Sequence, residues 1–111
     1  MKKNTAVNSG IYRQGDVNIR RVDSNIPEKL VKTKHNTLAY GEVKGHHHTF
    51  TEGGVTCFAD TETALPTWVT VDKGGAPLTH QEHDTIVLPE GTYQVSRQVE
   101  YTPAALRNVQ D

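Results

Sequence analysis

The chain has one cysteine, Cys57, in 111 residues, so no intramolecular disulfide can form. That suits a reducing compartment, and cytoplasmic location is the expectation. Apolar residues are scarce, at 34%, and the mean hydropathy is −0.62. A small core under much solvated surface follows. No apolar run approaches the ~20 residues of a membrane span, so no membrane partner is expected. A basic excess is also missing: 12 Lys and Arg stand against 13 Asp and Glu, a net charge of −1. Without a bulk positive field, long nucleic acid is not an expected partner. A small anion held by a few focused basic residues remains open. Met1-Lys2-Lys3 has no apolar segment behind it, so residues 1–10 read as a disordered or loosely attached leader. Residues 11–111 read as a single domain.

What is present is a series of short β-forming runs separated by turn signals. Gln14-Gly15-Asp16 turns into Val17–Val22, where Val17 and Ile19 alternate with polar residues. Leu38–Lys44 and His46–Thr51 are extended stretches meeting at Gly45. Glu52-Gly53-Gly54 reads as a hairpin turn into Val55–Ala59. Thr67–Asp72 follows, then a turn at Lys73-Gly74-Gly75. Thr85–Leu88 ends at Pro89-Glu90-Gly91, and Thr92–Tyr101 is the longest strand. Thr102 as N-cap and Pro103 at the first helical position predict a short C-terminal helix over Thr102–Val109. The fold class is all-β, a small barrel or sandwich.

The histidines are the chemical signal. Five of the six fall in two clusters, His46-His47-His48 and His80-x-x-His83. Imidazole titrates near neutrality, at ~6.5, and is the commonest metal ligand, so the clusters announce proton transfer or metal binding. Strand alternation splits the triplet. His46 and His48 share a face with Phe50, and His47 takes the other with Thr49. If the pairing runs unbroken through Gly45, then Tyr40, Glu42 and Lys44 continue the inner face. A bulge at Gly45 would break that register. The stretch from His80 to Asp84 reads equally well as a solvated polar loop.

Arg97 stands mid-face among Tyr93, Val95, Val99 and Tyr101. A charge there needs a partner. An internal salt bridge, a stem reaching out at a barrel mouth, or a bound anion would each supply one.

Two resemblances bear on these residues. Gly45, His46-x-His48 and Glu52, with the Pro89-x-Gly91 turn, resemble the two motifs of cupins, small β-barrels that bind iron or manganese. That resemblance implies a metal set of His46, His48 and Glu52, completed by His80 or His83. It departs where the second motif should supply a histidine, because Gln94 stands there. The second resemblance covers most of the chain from residue 12. Tyr12–Val17, Gly41–His46, Leu78–His83 and Leu88–Tyr101 resemble a small family of phage and CRISPR-associated ring nucleases with a cupin-like barrel. Those enzymes linearise cyclic oligoadenylate messengers of antiphage defence. Where that family often reads Arg-Gln-Arg-Glu-Tyr, Val99 replaces the middle arginine, and no basic role carries over there.

The leading expectation is therefore a ring nuclease that needs no metal and no cofactor. Cleaving a 3′–5′ RNA linkage through its own 2′-hydroxyl requires a base, an acid and cations near the phosphoryl oxygens. His46, His48, His83, His80 and Glu42 are the candidate catalytic residues; Lys44, Arg97 and Tyr40 are the candidate substrate contacts. A ring substrate suits a symmetric homodimer. The alternatives are a metal-dependent cupin enzyme using His46, His48, Glu52 and His83, or a non-catalytic protein that sequesters a nucleotide.

Overall fold

A computed structural model describes residues 10–40 and 45–97. Ten strands form among them: β1 (Ile11–Gln14), β2 (Val17–Val22), β3 (Val31–Lys32), β4 (Thr37–Tyr40), β5 (His47–Phe50), β6 (Val55–Ala59), β7 (Trp68–Val71), β8 (Ala76–Thr79), β9 (Ile86–Leu88) and β10 (Gly91–Arg97). They make two antiparallel sheets, in the orders β1-β2-β10-β7-β6-β3 and β4-β5-β8-β9. The protein is all-β and sandwich-like, and the described strands do not close into a barrel. The C-terminal helix expected over Thr102–Val109 and most of the leader lie outside the described residues.

Period-two patterning explains the core. Val17 and Ile19 of β2, Tyr93 and Val95 of β10, and Val69 and Val71 of β7 point inward from the large sheet. Leu38, Ala39, Phe50, Ala76, Leu78 and Leu88 meet them from the small one. Each large apolar side chain buried this way contributes about 1.5–3 kcal/mol. Cys57 is buried among them, and burial pushes its thiol pKa up to about 12. It is an inert core residue.

Three local features shape the end of the sandwich that matters for function. The β1–β2 hairpin closes through Gly15 and Asp16, with Gly15 at φ 56°, the pattern of a type II′ turn. The β4–β5 register slips between Thr37 and Ala39, so Thr37, Leu38 and Ala39 are all buried in succession. Such a bulge disrupts the backbone ladder locally. Arg97 Nη1 donates to the Leu38 carbonyl at 3.2 Å and to that of Pro66 at 2.9 Å. Arg97, for which the sequence leaves a carboxylate, a bound anion and a stem reaching solvent all open, clamps two carbonyls, one of them at the bulge. Burial lowers its pKa, which adds to the need for those partners.

The register also corrects the inner-face expectation. The break falls at Leu38, and Gly45, at φ 86°, lies in the connection between β4 and β5. Tyr40 pairs with His47 on the outer side and is 67% exposed, so it does not join His48 inside. Glu42 and Lys44 lie outside the described residues. The Glu52-Gly53-Gly54 segment is not a hairpin turn: it carries the chain from β5 in the small sheet to β6 in the large one.

Candidate functional site

His48 is the deepest of the clustered imidazoles, 5% exposed. Its place on β5 follows from alternation, one step from Phe50, which is also buried. The loop after β8 folds back over the start of β5. There Gln81 Oε1 accepts the His47 backbone N–H at 2.8 Å. This brings His80 and His83 to the triplet. Ring centroids lie 4.3 Å apart for His48 and His80, and 4.6 Å for His80 and His83. The separations are 5.5 Å for His46 and His80, and 5.9 Å for His48 and His83. The two histidine clusters of the sequence thus form one group of four rings. His47 stays apart, its ring tilted at 41° to that of Tyr40 with centroids 6.4 Å apart.

Hydrogen bonding fixes two of the tautomers. Gln14 is buried at the end of β1, and its Nε2 donates to the carbonyls of Leu78 (2.8 Å) and Asp84 (2.9 Å). Carbonyls only accept, so the amide nitrogen must face them and Oε1 must face His48. His48 Nδ1, 2.8 Å from Oε1, therefore carries the proton, and its Nε2 keeps a lone pair. His80 is the reverse. Its Nδ1 accepts the backbone N–H groups of Glu82 (3.0 Å) and His83 (3.3 Å), so its neutral ring carries hydrogen on Nε2. The adjacent rings offer an acceptor and a donor.

Electrostatics keeps both rings neutral near pH 7. Burial, then the nearby His80 and His83, lowers the His48 pKa from 6.5 to about 4, against an opposing pull from Asp16. The His80 pKa is also lowered, by desolvation first and then by His83 and His46. At the rim, His46 Nδ1 sits 3.9 Å from Glu82 Oε1, a carboxylate placed to pair with an imidazolium. Gly15 lies against the group: a Cβ there would stand 2.7 Å from His83 Nε2 and 3.3 Å from His48 Cε1. The hairpin turn lies against the imidazoles with no side chain at that point, and a Cβ there would force the His83 ring to shift.

Two residues of this site escape a reading of the sequence. Gln14 looks like turn punctuation, although it pairs with inward-facing Val17 across a two-residue turn, which is the signal that could have found it. Gly15 likewise reads as a turn residue alone.

The metal-ligand set does not assemble. Glu52 is exposed beyond the end of β5, and His80 has committed its Nδ1 to backbone donors. Gln94, at the position of the missing cupin histidine, accepts from Arg20 Nη2 at 2.8 Å. Among the described residues no three His, Cys, Asp or Glu side chains are arranged to hold a metal ion. A groove of ≈ 490 Å³ lies elsewhere, on the large sheet, lined by Asn18, Arg20, Trp68, Gln94 and Ser96 among others. It has shape but no titrating group suited to proton transfer.

The fold and site define an all-β protein of two antiparallel sheets with four clustered imidazoles at one end. The chain belongs to the family described as a domain of unknown function (DUF8820), whose model matches residues 13–98. That span includes every ring of the cluster, together with Gln14 and Gly15. No curated protein matches the chain, and no solved structure does. No helix among the described residues is long and apolar enough to cross a membrane.

Proposed function

We propose that this protein is a phosphodiesterase that cleaves RNA-type 3′–5′ linkages by histidine acid–base chemistry without a metal. One observation carries the reading: neighbouring rings, 4.3 Å apart, hold opposite tautomers, an Nε2 lone pair on His48 and an Nε2–H on His80. His48 takes the 2′-hydroxyl proton. The 2′-oxygen bonds to phosphorus and the bond to the 5′-oxygen breaks, leaving a 2′,3′-cyclic phosphate. His46, beside the Glu82 carboxylate, donates the proton to that leaving oxygen. His80 donates a hydrogen bond from Nε2 to a phosphoryl oxygen, where negative charge develops. His83 lines the same space. Glu42 and Lys44 stand in the stretch joining β4 to β5, and Lys44 is the proposed cation for the phosphate.

The substrate class, a cyclic oligoadenylate, rests on the motif resemblance to ring nucleases. So do the setting, a host-cell cytoplasm in which the protein antagonises antiphage defence, and a homodimer facing one ring with two sites. Labelled cyclic tetra- and hexa-adenylate, incubated with the pure protein with and without EDTA, test this reading. Linear products that persist in EDTA are expected. Products lost in EDTA and restored by a divalent ion would move the chemistry to a metal. Tight binding without products would make the protein a sequestering one, and neither binding nor cleavage would remove the assignment. His46→Ala is expected to lower the rate by at least ~10² with the fold intact.

A further inference from the structure

The buried carboxamide of Gln14 joins three parts of the site. It arises from β1, donates to a carbonyl on β8 and to one in the loop that carries His80 and His83, and accepts from His48 on β5. It is 3% exposed, and its three hydrogen bonds span 2.8–2.9 Å. A glutamine serving only to fill space at the end of a hairpin would not need all three. An apolar side chain of similar volume would pack there, but it would offer nothing to the His48 ring nitrogen or to the two carbonyls at that point.

We propose that Gln14 is the positioning residue of the imidazole site: it holds His48 with its proton on Nδ1 and so leaves Nε2 as the ring's acceptor. It also ties the His80–His83 loop to the same register. A free imidazole side chain favours the proton on Nε2, so the tautomer that the Gln14 hydrogen bond requires of His48 is one the protein must impose. Tautomer selection through the far ring nitrogen is how histidine bases are oriented in general. Because Gln14 cannot rotate without abandoning the Leu78 and Asp84 carbonyls, the ring cannot exchange roles with its amide. The functional consequence rests on the acid–base reading above; the tautomer assignment does not.

The test is made on the full chain, with ¹⁵N-labelled imidazoles. Two-bond ¹H–¹⁵N spectra near pH 7 report which ring nitrogen carries hydrogen, and His48→Gln assigns the His48 signals. The wild-type protein is expected to show His48 protonated at Nδ1. Gln14→Leu is expected to return His48 to the Nε2-protonated form or to a mixture. It should also lower oligoadenylate cleavage by about 10² while backbone amide spectra stay dispersed. His48 found protonated at Nε2 in the wild type would overturn the proposal whether or not the variant folds. An unchanged Nδ1 tautomer in Gln14→Leu, or in Gln14→Met if the leucine variant unfolds, would overturn it equally. A wild-type protein that cleaves nothing, yet shows the Nδ1 tautomer that Gln14→Leu abolishes, would sink the phosphodiesterase reading and leave the positioning role standing.

Discussion

The centre of the sandwich is buried throughout, whereas the imidazole end is buried at Gln14 and His48 and exposed at His83, and the two are held together by different rules. In the centre, Tyr93, Ile19, Leu38, Leu78 and Val69 are essentially water-free and need only fit. Even the one polar atom of Tyr93 is settled locally, its hydroxyl donating to the Pro89 carbonyl at 2.6 Å. At the imidazole end each polar group must find a named partner. Gln14 and His48 do so only because three segments distant in sequence arrive together. Apolar burial tolerates exchange of one hydrocarbon for another, whereas a satisfied polar network does not. The centre should therefore govern stability, and the other end chemistry.

The sharpest way to break that contrast is to delete one residue from each region. His48→Ala should reduce cleavage by ~10²–10⁴, the usual worth of a positioned base, measured as kcat on a cyclic oligoadenylate. Leu88→Ala, at 0% exposure, should destabilise the fold by about 2–5 kcal/mol in urea unfolding. It should leave the rate of the remaining folded protein close to wild type. A Leu88 variant that keeps its stability, or a His48 variant that keeps its rate, would erase the division.

Acid should reveal the same boundary. The His48 pKa falls from 6.5 unfolded to about 4 folded, so between those values the unfolded chain binds the extra proton. This contribution to stability is complete above about pH 6.5 and is lost as pH falls through about 4. Its size is of order 3 kcal/mol by linkage, and the lowered His80 pKa acts in the same direction. Unfolding free energies from pH 7 to 4 should show the decline, and His48→Gln should flatten much of it. An equal slope in that variant would assign the acid sensitivity to other groups.

Two smaller effects refine the picture. Gly15→Ala adds a Cβ 2.7 Å from His83 Nε2 at a φ of 56°. A cost of about 1 kcal/mol is expected from the backbone alone, with a shift of the His83 ring signals by NMR. Unshifted His83 signals would mean that the turn does not cap the cluster. Trp68→Ala, in the groove of the large sheet, is expected to leave kcat unchanged; a lost rate there would mean that the groove belongs to the site after all.

How far the sequence could be read depends on the range of the signal. Val17–Val22 and Val55–Ala59 are visible as strands because alternation is local, and the structure forms both over those residues. The placement of His48 beside Phe50, inside, follows from the same parity. By contrast, β8 carries Pro77, a residue that disfavours strands. Its place becomes clear only from pairing: Pro77 faces Val87 of β9, and the contact with β5 begins one residue later at Leu78. The two-residue β3 and the short β1 carry too little pattern to be read.

What the sequence determined by itself is the all-β class, the neutral charge balance, and the two histidine clusters with their split into inward and outward rings. These depend on composition and on a period of two residues, both written locally. The meeting of the clusters was decided by tertiary structure, through a loop that returns over β5. So were the bulge at Leu38 with Arg97 on its carbonyl, the exposure of Tyr40 and Glu52, and the role of Gln14. Each is a contact between segments about 30 to 70 residues apart or the result of a register slip, and neither leaves a mark on the neighbouring residues of the chain.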